Sequence, residues 1–226
     1  MSGDQSSSSA PSASRERRRA PVQARAHRTV EKILTAATEI LIESGLPSLN
    51  TNAIAARAQV NVSTLYSYFP DKISIIRELF ERFEDLRGEY VQGKSRAFEV
   101  APDWHSTVDE VIHGLMDMRR TVPGGAALRA ALQVVPELEE LDHQSTLRTA
   151  GRLAHSLRVR NPKLGRERAE VVALTVSETV TRMLDLAQRA PGDEAIIDEL
   201  SLMIRNYLAA YLGLADASES GPAQHG

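Results

Sequence analysis

The stretch that most constrains this chain is NTNAIAARAQVNVSTLYSYFPDK, residues Asn50 to Lys72. Asn50 can cap a first helix, because its side-chain oxygen accepts from the free N–H groups of the first turn. Ile54, Ala55 and Ala58 give that helix a narrow apolar face whose small residues admit close contact. The pattern breaks at Gln59-Val60, and Asn61 offers a second cap. Leu65 and Phe69, spaced i, i+4, share the buried side of a second helix. Pro70 closes it, since the residue before a proline is disfavoured in the helical region. The second helix is therefore about two turns long. Its other side carries Val62, Ser63, Thr64, Tyr66, Ser67 and Tyr68, with Lys72 just beyond.

A helix, a tight turn and a short second helix suit a DNA-binding helix-turn-helix, whose second helix enters the major groove. Short hydroxyls reach base edges or phosphates, and tyrosines donate to phosphate oxygens. An ordinary helical hairpin with a polar face toward water is the competing reading. The order of residues favours the first. Thr51, Ile54-Ala55, Ala58, Val60, Thr64-Leu65-Tyr66, Tyr68-Phe69 and Lys72 match a recurring pattern, and over roughly residues 25–85 the chain resembles the TetR family of bacterial regulators. The resemblance implies a dimeric transcriptional regulator, most often a repressor, that leaves a palindromic operator when a small-molecule effector binds. It assigns DNA contacts to Thr51, Asn52, Asn61, Val62, Ser63, Thr64, Tyr66, Tyr68 and Lys72. Three positions depart from the pattern. Gln59 replaces a usual Gly, and costs roughly 1 kcal/mol more if the turn needs a left-handed backbone. Asn61 replaces Ser but caps as well. Ser63 replaces a common Gly and bears on the base sequence read.

Around this stretch the chain reads as all-α, with about nine helices and essentially no strand. Aromatics are only 4% of the residues and there is no cysteine, which excludes disulfides, thiolate metal sites and cysteine catalysis. No apolar run approaches the roughly 20 residues of a membrane-crossing helix. No signal peptide is evident, so a cytoplasmic location is expected. The net charge is −3, but residues 1–72 hold nine Lys and Arg against six Asp and Glu, while 73–226 hold 18 against 24. A basic front on an acidic body fits a chain whose front meets nucleic acid. Residues 1–24 are expected to be a disordered basic arm containing Arg15, Arg17, Arg18 and Arg19. Arg25 and Arg28 follow as further candidates for phosphate or minor-groove contact.

The DNA-binding domain is expected over 25–72 and a helical ligand-binding and dimerisation domain over 73–214, with a flexible tail over 215–226. The first helix is expected from about Arg28 to Ser44, with Gly45 as its stop. Ile33, Leu34, Ala37, Leu41, Ile54, Val60, Leu65 and Phe69 should form the first core. Asp71 can cap a long fourth helix, which would carry movement of the body to the DNA-reading head. Later helices are predicted from Asp103, over Ala126–Val134, from Pro136 to Arg160, over Arg166–Arg189 and over Asp193–Leu212.

No catalytic constellation is present: there is no G-x-S-x-G, no H-E-x-x-H and no phosphate-cradling glycine loop. The chain is not expected to be an enzyme or to hold a cofactor. His105, His113, His143 and His155 lack metal-ligand spacing, so no metal is expected. A small-molecule pocket is the more plausible site in the body. Its candidates are Trp104, His113, Met116, Gln144, Thr175 and Glu178, against the alternative that Trp and Met fill core and Glu178 pairs with Arg182 on the surface. The last two helices carry wide apolar bands. From the resemblance, Val176, Val180, Met183, Leu200, Ile204, Tyr207 and Tyr211 are assigned to a homodimer interface. A helical ligand-binding or scaffold protein without specific DNA recognition stands as the alternative to the regulator.

Overall fold

The structure, a computed structural model, describes residues 12–190 and 193–213; the side chains of 12–22 lie outside that description. The expected tail at 215–226, the first part of the expected arm and the Pro191-Gly192 break also fall outside it. The described residues form nine helices and no strand. They divide into two compact units, with the boundary between Ile75 and Ile76.

The first unit holds α1 (Ser12–Ser48), α2 (Thr51–Arg57), α3 (Val62–Tyr68) and the start of α4 (Lys72–Val100). α1 begins 16 residues before the expected Arg28. The helix thus takes in residues 12–24 of the expected arm. Arg and Ala, both strong helix formers, supply most of that stretch, while Pro21 within it forgoes a backbone hydrogen bond. Gly45 kinks α1 at φ 69°, the left-handed conformation its lack of a Cβ allows. Asn50 accepts from Ala53 N at 2.9 Å and caps α2. Asn61 occupies the cap position of α3, yet its side chain makes no capping hydrogen bond. Asp71 caps α4, accepting from Ser74 N at 2.7 Å, while Ser74 Oγ returns a bond to the Asp71 carbonyl.

Ile33, Leu34, Ala37, Leu41, Ile54, Leu65 and Phe69 are all buried, as their spacing requires, and Ile40 and Leu49 join them. Val60 is only half-buried. It sits in the α2–α3 turn, where its N–H closes onto the Ala55 carbonyl at 3.0 Å, so its side chain is placed by the turn and not by a helical face. Gln59 adopts φ 55°, the one non-glycine residue with positive φ among those described. A side chain there costs roughly 1–2 kcal/mol, partly offset in any Gly replacement by the freer unfolded chain. Gln59→Gly should therefore raise the unfolding free energy by about 0.5–1 kcal/mol. Urea melts with an unchanged m-value would show it, and a loss of stability would mean that Gln59 makes a compensating contact.

The second unit holds the rest of α4 with α5 (Trp104–Thr121), α6 (Gly125–Leu132), α7 (Pro136–Arg160), α8 (Arg166–Ala187) and α9 (Asp193–Leu212). Asp103 caps α5 through His105 N and Ser106 N. Pro136 opens α7 at its first turn, where a missing N–H costs nothing. α8 packs on α7 and α9, and α9 also on α5. One apolar cluster runs through α4, α5, α7, α8 and α9, from Val91 and Phe98 to Ile204 and Leu208.

Candidate nucleic-acid interface and body cavity

In the first unit, Leu65 and Phe69 are turned into the core, so the opposite side of α3 is presented outward. Val62, Ser63, Tyr66 and Tyr68 are exposed there, with Tyr66 half accessible at 50%. Thr64 is half-buried and Asn61 exposed. On α2, Asn52 is exposed and Thr51 half-buried. Thr51 Oγ1 and Tyr66 Oη lie 3.1 Å apart and share a hydrogen bond, so the first turn of α2 fixes the phenol of α3. Ser67 Oγ donates to the Thr64 carbonyl at 2.6 Å and is thereby occupied within α3. Lys72 is half-buried at the first residue of α4. Arg25 and Arg28 are exposed on α1. Arg57 bonds Glu43 at 2.6 Å and approaches Glu39 at 3.9 Å, tying α2 to α1 by a contact the residue pattern did not reveal.

The second unit contains a cavity of about 110 Å³ between α4, α5, α7, α8 and α9. Its wall is mostly aliphatic, with Phe98 as its aromatic residue and the hydroxyls of Thr107, Thr149, Ser177 and Thr181 among its polar groups. None of the six expected ligand residues lines it. Trp104 is buried edge-on to Phe98, 6.1 Å between centroids, and stacks on His105 at 3.9 Å. Met116 is buried core. His113 bonds the Asp109 carbonyl at 2.9 Å and Asp198 at 3.3 Å, joining α5 to α9. Gln144 donates to Glu140, and Thr175 to the Val171 carbonyl, both at exposed positions. Glu178 instead borders an open polar groove with His143, Arg182 and Arg189. Of the polar candidates, Gln144 and Thr175 are exposed while His113 and Glu178 are half-buried. The polar groups of the cavity wall include small hydroxyls hidden inside the apolar stripes, as in Val176-Ser177 and Thr107-Val108, and that substitution of Ser or Thr at core positions was the available signal.

The residues expected at a homodimer interface differ in how far one chain covers them. Val176, Val180, Leu200 and Ile204 are buried within one chain, and Val176, Val180 and Ile204 line the cavity. Met183, Tyr207 and Tyr211 are half-buried against the same core. Tyr211 is further held by Arg168, which donates to its hydroxyl at 2.9 Å, and by Asn161, which donates to its carbonyl. α5 and α7 absorb the inner faces of α8 and α9, which is why the bands looked surplus. The large apolar side chains left exposed on these helices are Val171, Leu174, Leu186, Leu202 and Met203.

A buried ionic network adjoins the cavity. Asp185 accepts from Arg119 Nη1 at 2.8 Å and from Arg129 Nη2 at 2.9 Å, and Arg129 also binds Asp142. Arg87 holds Glu84 through Nε at 2.8 Å and Nη2 at 2.6 Å, and reaches Ser145 and Thr149 on α7. Burial, and then the like charge of Arg129, lower the Arg119 guanidinium to about 10 despite Asp185. Burial alone would lower Arg129 as well, but hydrogen bonds and charge from Asp142 and Asp185 raise it. Both remain cations at neutral pH.

Residues 33–79 match the family described as bacterial regulatory proteins, tetR family. Residues 103–208 match the family described as tetracyclin repressor-like, C-terminal domain. Among solved structures, a TetR-family transcriptional regulator from Streptomyces coelicolor is 28% identical, with a TM-score of 0.58 over 81% of this chain and 99% of that one. A transcriptional regulator from Rhodococcus sp. RHA1 is 19% identical, with a TM-score of 0.62 over 82% and 98%. A SmeT–triclosan complex is 19% identical, with a TM-score of 0.63 over 87% and 99%. The last two likenesses concern the fold. No curated protein matches the chain.

Proposed function

We propose that this chain, which belongs to the TetR family of transcriptional regulators, binds a palindromic DNA operator as a homodimer through α3, represses transcription there, and is released by a small molecule held in its helical body. The observation that carries the reading is the outward side of α3, where hydroxyl and phenol groups stand over a fully apolar inner side, with Tyr66 fixed by Thr51. Such groups match phosphate oxygens and base edges at the scale of the major groove. The cavity in the second unit supports ligand control, and SmeT, similar in fold, is a protein solved with triclosan. Its DNA target would place the protein in the cytoplasm.

A dimer is part of the proposal because one head contacts too few bases to select a site in a genome. Two linked heads read half-sites one or more helical turns apart. The face proposed for pairing is the exposed apolar set of α8 and α9: Val171, Leu174, Leu186, Leu202 and Met203.

The test is selection of bound duplexes from random DNA, followed by salt titration on the selected site. Lys72→Ala should weaken binding to all sequences alike and flatten the slope of log K against log salt by roughly 0.9. Thr64→Ala should change the selected sequence and cost about 1–3 kcal/mol per lost base contact. An unchanged selection from Thr64→Ala would remove Thr64 as a base reader. Failure of the parent protein to enrich any sequence would leave a helical ligand-binding protein in place of a regulator.

A further inference from the structure

The second-unit cavity, taken above as the effector site, is charge-matched wherever an ionic group meets it. From this we propose that its ligand is an uncharged, mostly apolar molecule with a hydrogen-bonding group at the Arg87 end. The inference rests on the reading of the cavity as a ligand site and adds the chemistry that site accepts.

Two cations border the cavity, and no carboxylate is among its lining residues. Both cations are already neutralised. Arg87 binds both carboxylate oxygens of Glu84, and Lys94 Nζ bonds Glu110 at 2.5 Å. The adjoining polar cavity shares Arg87 and Thr181 with the first, and there Arg119 and Arg129 face Asp142 and, through their bonds, Asp185. An anionic ligand would therefore add an unmatched charge or have to displace Glu84. A cationic ligand would meet no carboxylate and would stand beside Arg87. Burying an unmatched charge is far more costly than burying a hydrogen-bonded neutral group. A neutral hydroxyl, ether or carbonyl can bond the hydroxyls of Ser177 or Thr181 while its carbon body packs against Val91, Val108 and Leu208; Thr149 already donates to the Ser145 carbonyl, so only a ligand hydroxyl can bond it, as a donor. The size is limited as well. At about 110 Å³ the cavity is somewhat smaller than the roughly 150 Å³ apolar cavity known to hold benzene, so the carbon body is limited to about six carbons at most.

The chain reports on its own cavity. Trp104 is its single tryptophan and touches the wall through Phe98. Titrating the full chain with 1-hexanol, hexanoate and hexylammonium at neutral pH, and following Trp104 emission, compares one carbon body with three head charges. Hexanol should bind at least tenfold more tightly than either ion. Glu84→Gln keeps the shape and leaves Arg87 unmatched, so hexanoate affinity should rise at least tenfold while hexanol changes little. Val180→Phe should fill the cavity and abolish all three responses, with far-UV circular dichroism showing that the variant is folded. If it does not fold, Glu84→Gln carries the test alone. An ion that binds most tightly to the parent and is lost in Val180→Phe overturns the uncharged assignment and leaves the cavity as the site. No binding by any probe, or hexanol binding that survives in a folded Val180→Phe, overturns the assignment altogether. Release of selected DNA is read on the same samples. Cavity binding of hexanol without release overturns effector control of DNA and leaves the ligand chemistry standing.

Discussion

Asp185→Ala is expected to lower the unfolding free energy by about 3–5 kcal/mol, because it leaves two buried guanidiniums without their shared counter-ion. Asp185 is 3% exposed, Arg119 7% and Arg129 4%, so the charges that lose the carboxylate are far from bulk solvent. Arg129 would keep Asp142, but Arg119 would keep only the Thr181 carbonyl at 3.5 Å and the repulsion of Arg129. The total stability of a domain is on the order of 5–15 kcal/mol, so the variant should be marginal at 37 °C. The control is Glu170→Ala. Its pair with Arg166 is spaced i, i+4 and widely exposed, and its loss should cost about 0.5 kcal/mol or less. Urea melts of both variants decide the matter: a deficit under about 1 kcal/mol for Asp185→Ala would show that the network is solvated and not structural.

Leu174→Asp and Leu202→Asp should each yield a folded monomer that no longer binds operator. Both side chains are exposed on the isolated chain, at 37% and 46%, so the fold tolerates the change. In the proposed dimer each new charge is buried twice by symmetry, at a cost of several kcal/mol, within an interface that for a permanent dimer buries about 2,000 Å² or more. Ile204→Asp makes the contrast, since Ile204 is 4% exposed and part of the intrachain core; it should disrupt the fold itself. Light scattering gives the mass and circular dichroism the fold, with operator binding measured on the same preparation. A Leu174→Asp protein that remains dimeric places the interface elsewhere. A monomer that binds operator at parental affinity removes the need for two heads.

What could be read without coordinates was local. The cap at Asn50, the paired anchors Leu65 and Phe69, the Pro136 start of α7 and the Asp193–Leu212 span of α9 all follow from short-range chemistry. The left-handed turn at Gln59 was signalled only through the family resemblance, which has a glycine at that position. What could not be read depends on which helices become neighbours. Periodicity marks Val176, Val180 and Ile204 as buried but cannot tell burial under a partner from burial under α5 and α7. The cavity has the same origin: it is a gap left where five helices meet, and no single helix encodes a gap. The Arg119–Asp185–Arg129 cluster joins residues 56 and 66 positions apart, beyond any pattern within one element. The early start of α1 was missed for the opposite reason, since an arginine-rich stretch without an apolar face satisfies the criteria for a tail and for a helix extension alike.

Helix α8 turns two unrelated surfaces in opposite directions. Val176, Ser177 and Val180 border the cavity, while Val171, Leu174 and Leu186 stand outside. The two sets interleave along the chain without sharing a position. In evolutionary terms they are separable traits written on one helix. Under the proposed function, drift in the inner set can retune what the cavity accepts while the outer set stays constant, and the outer set, as the proposed dimer face, can diverge between paralogues in one cell and keep subunits from mixing. A library that randomises one set should therefore recover variants unaffected in the other.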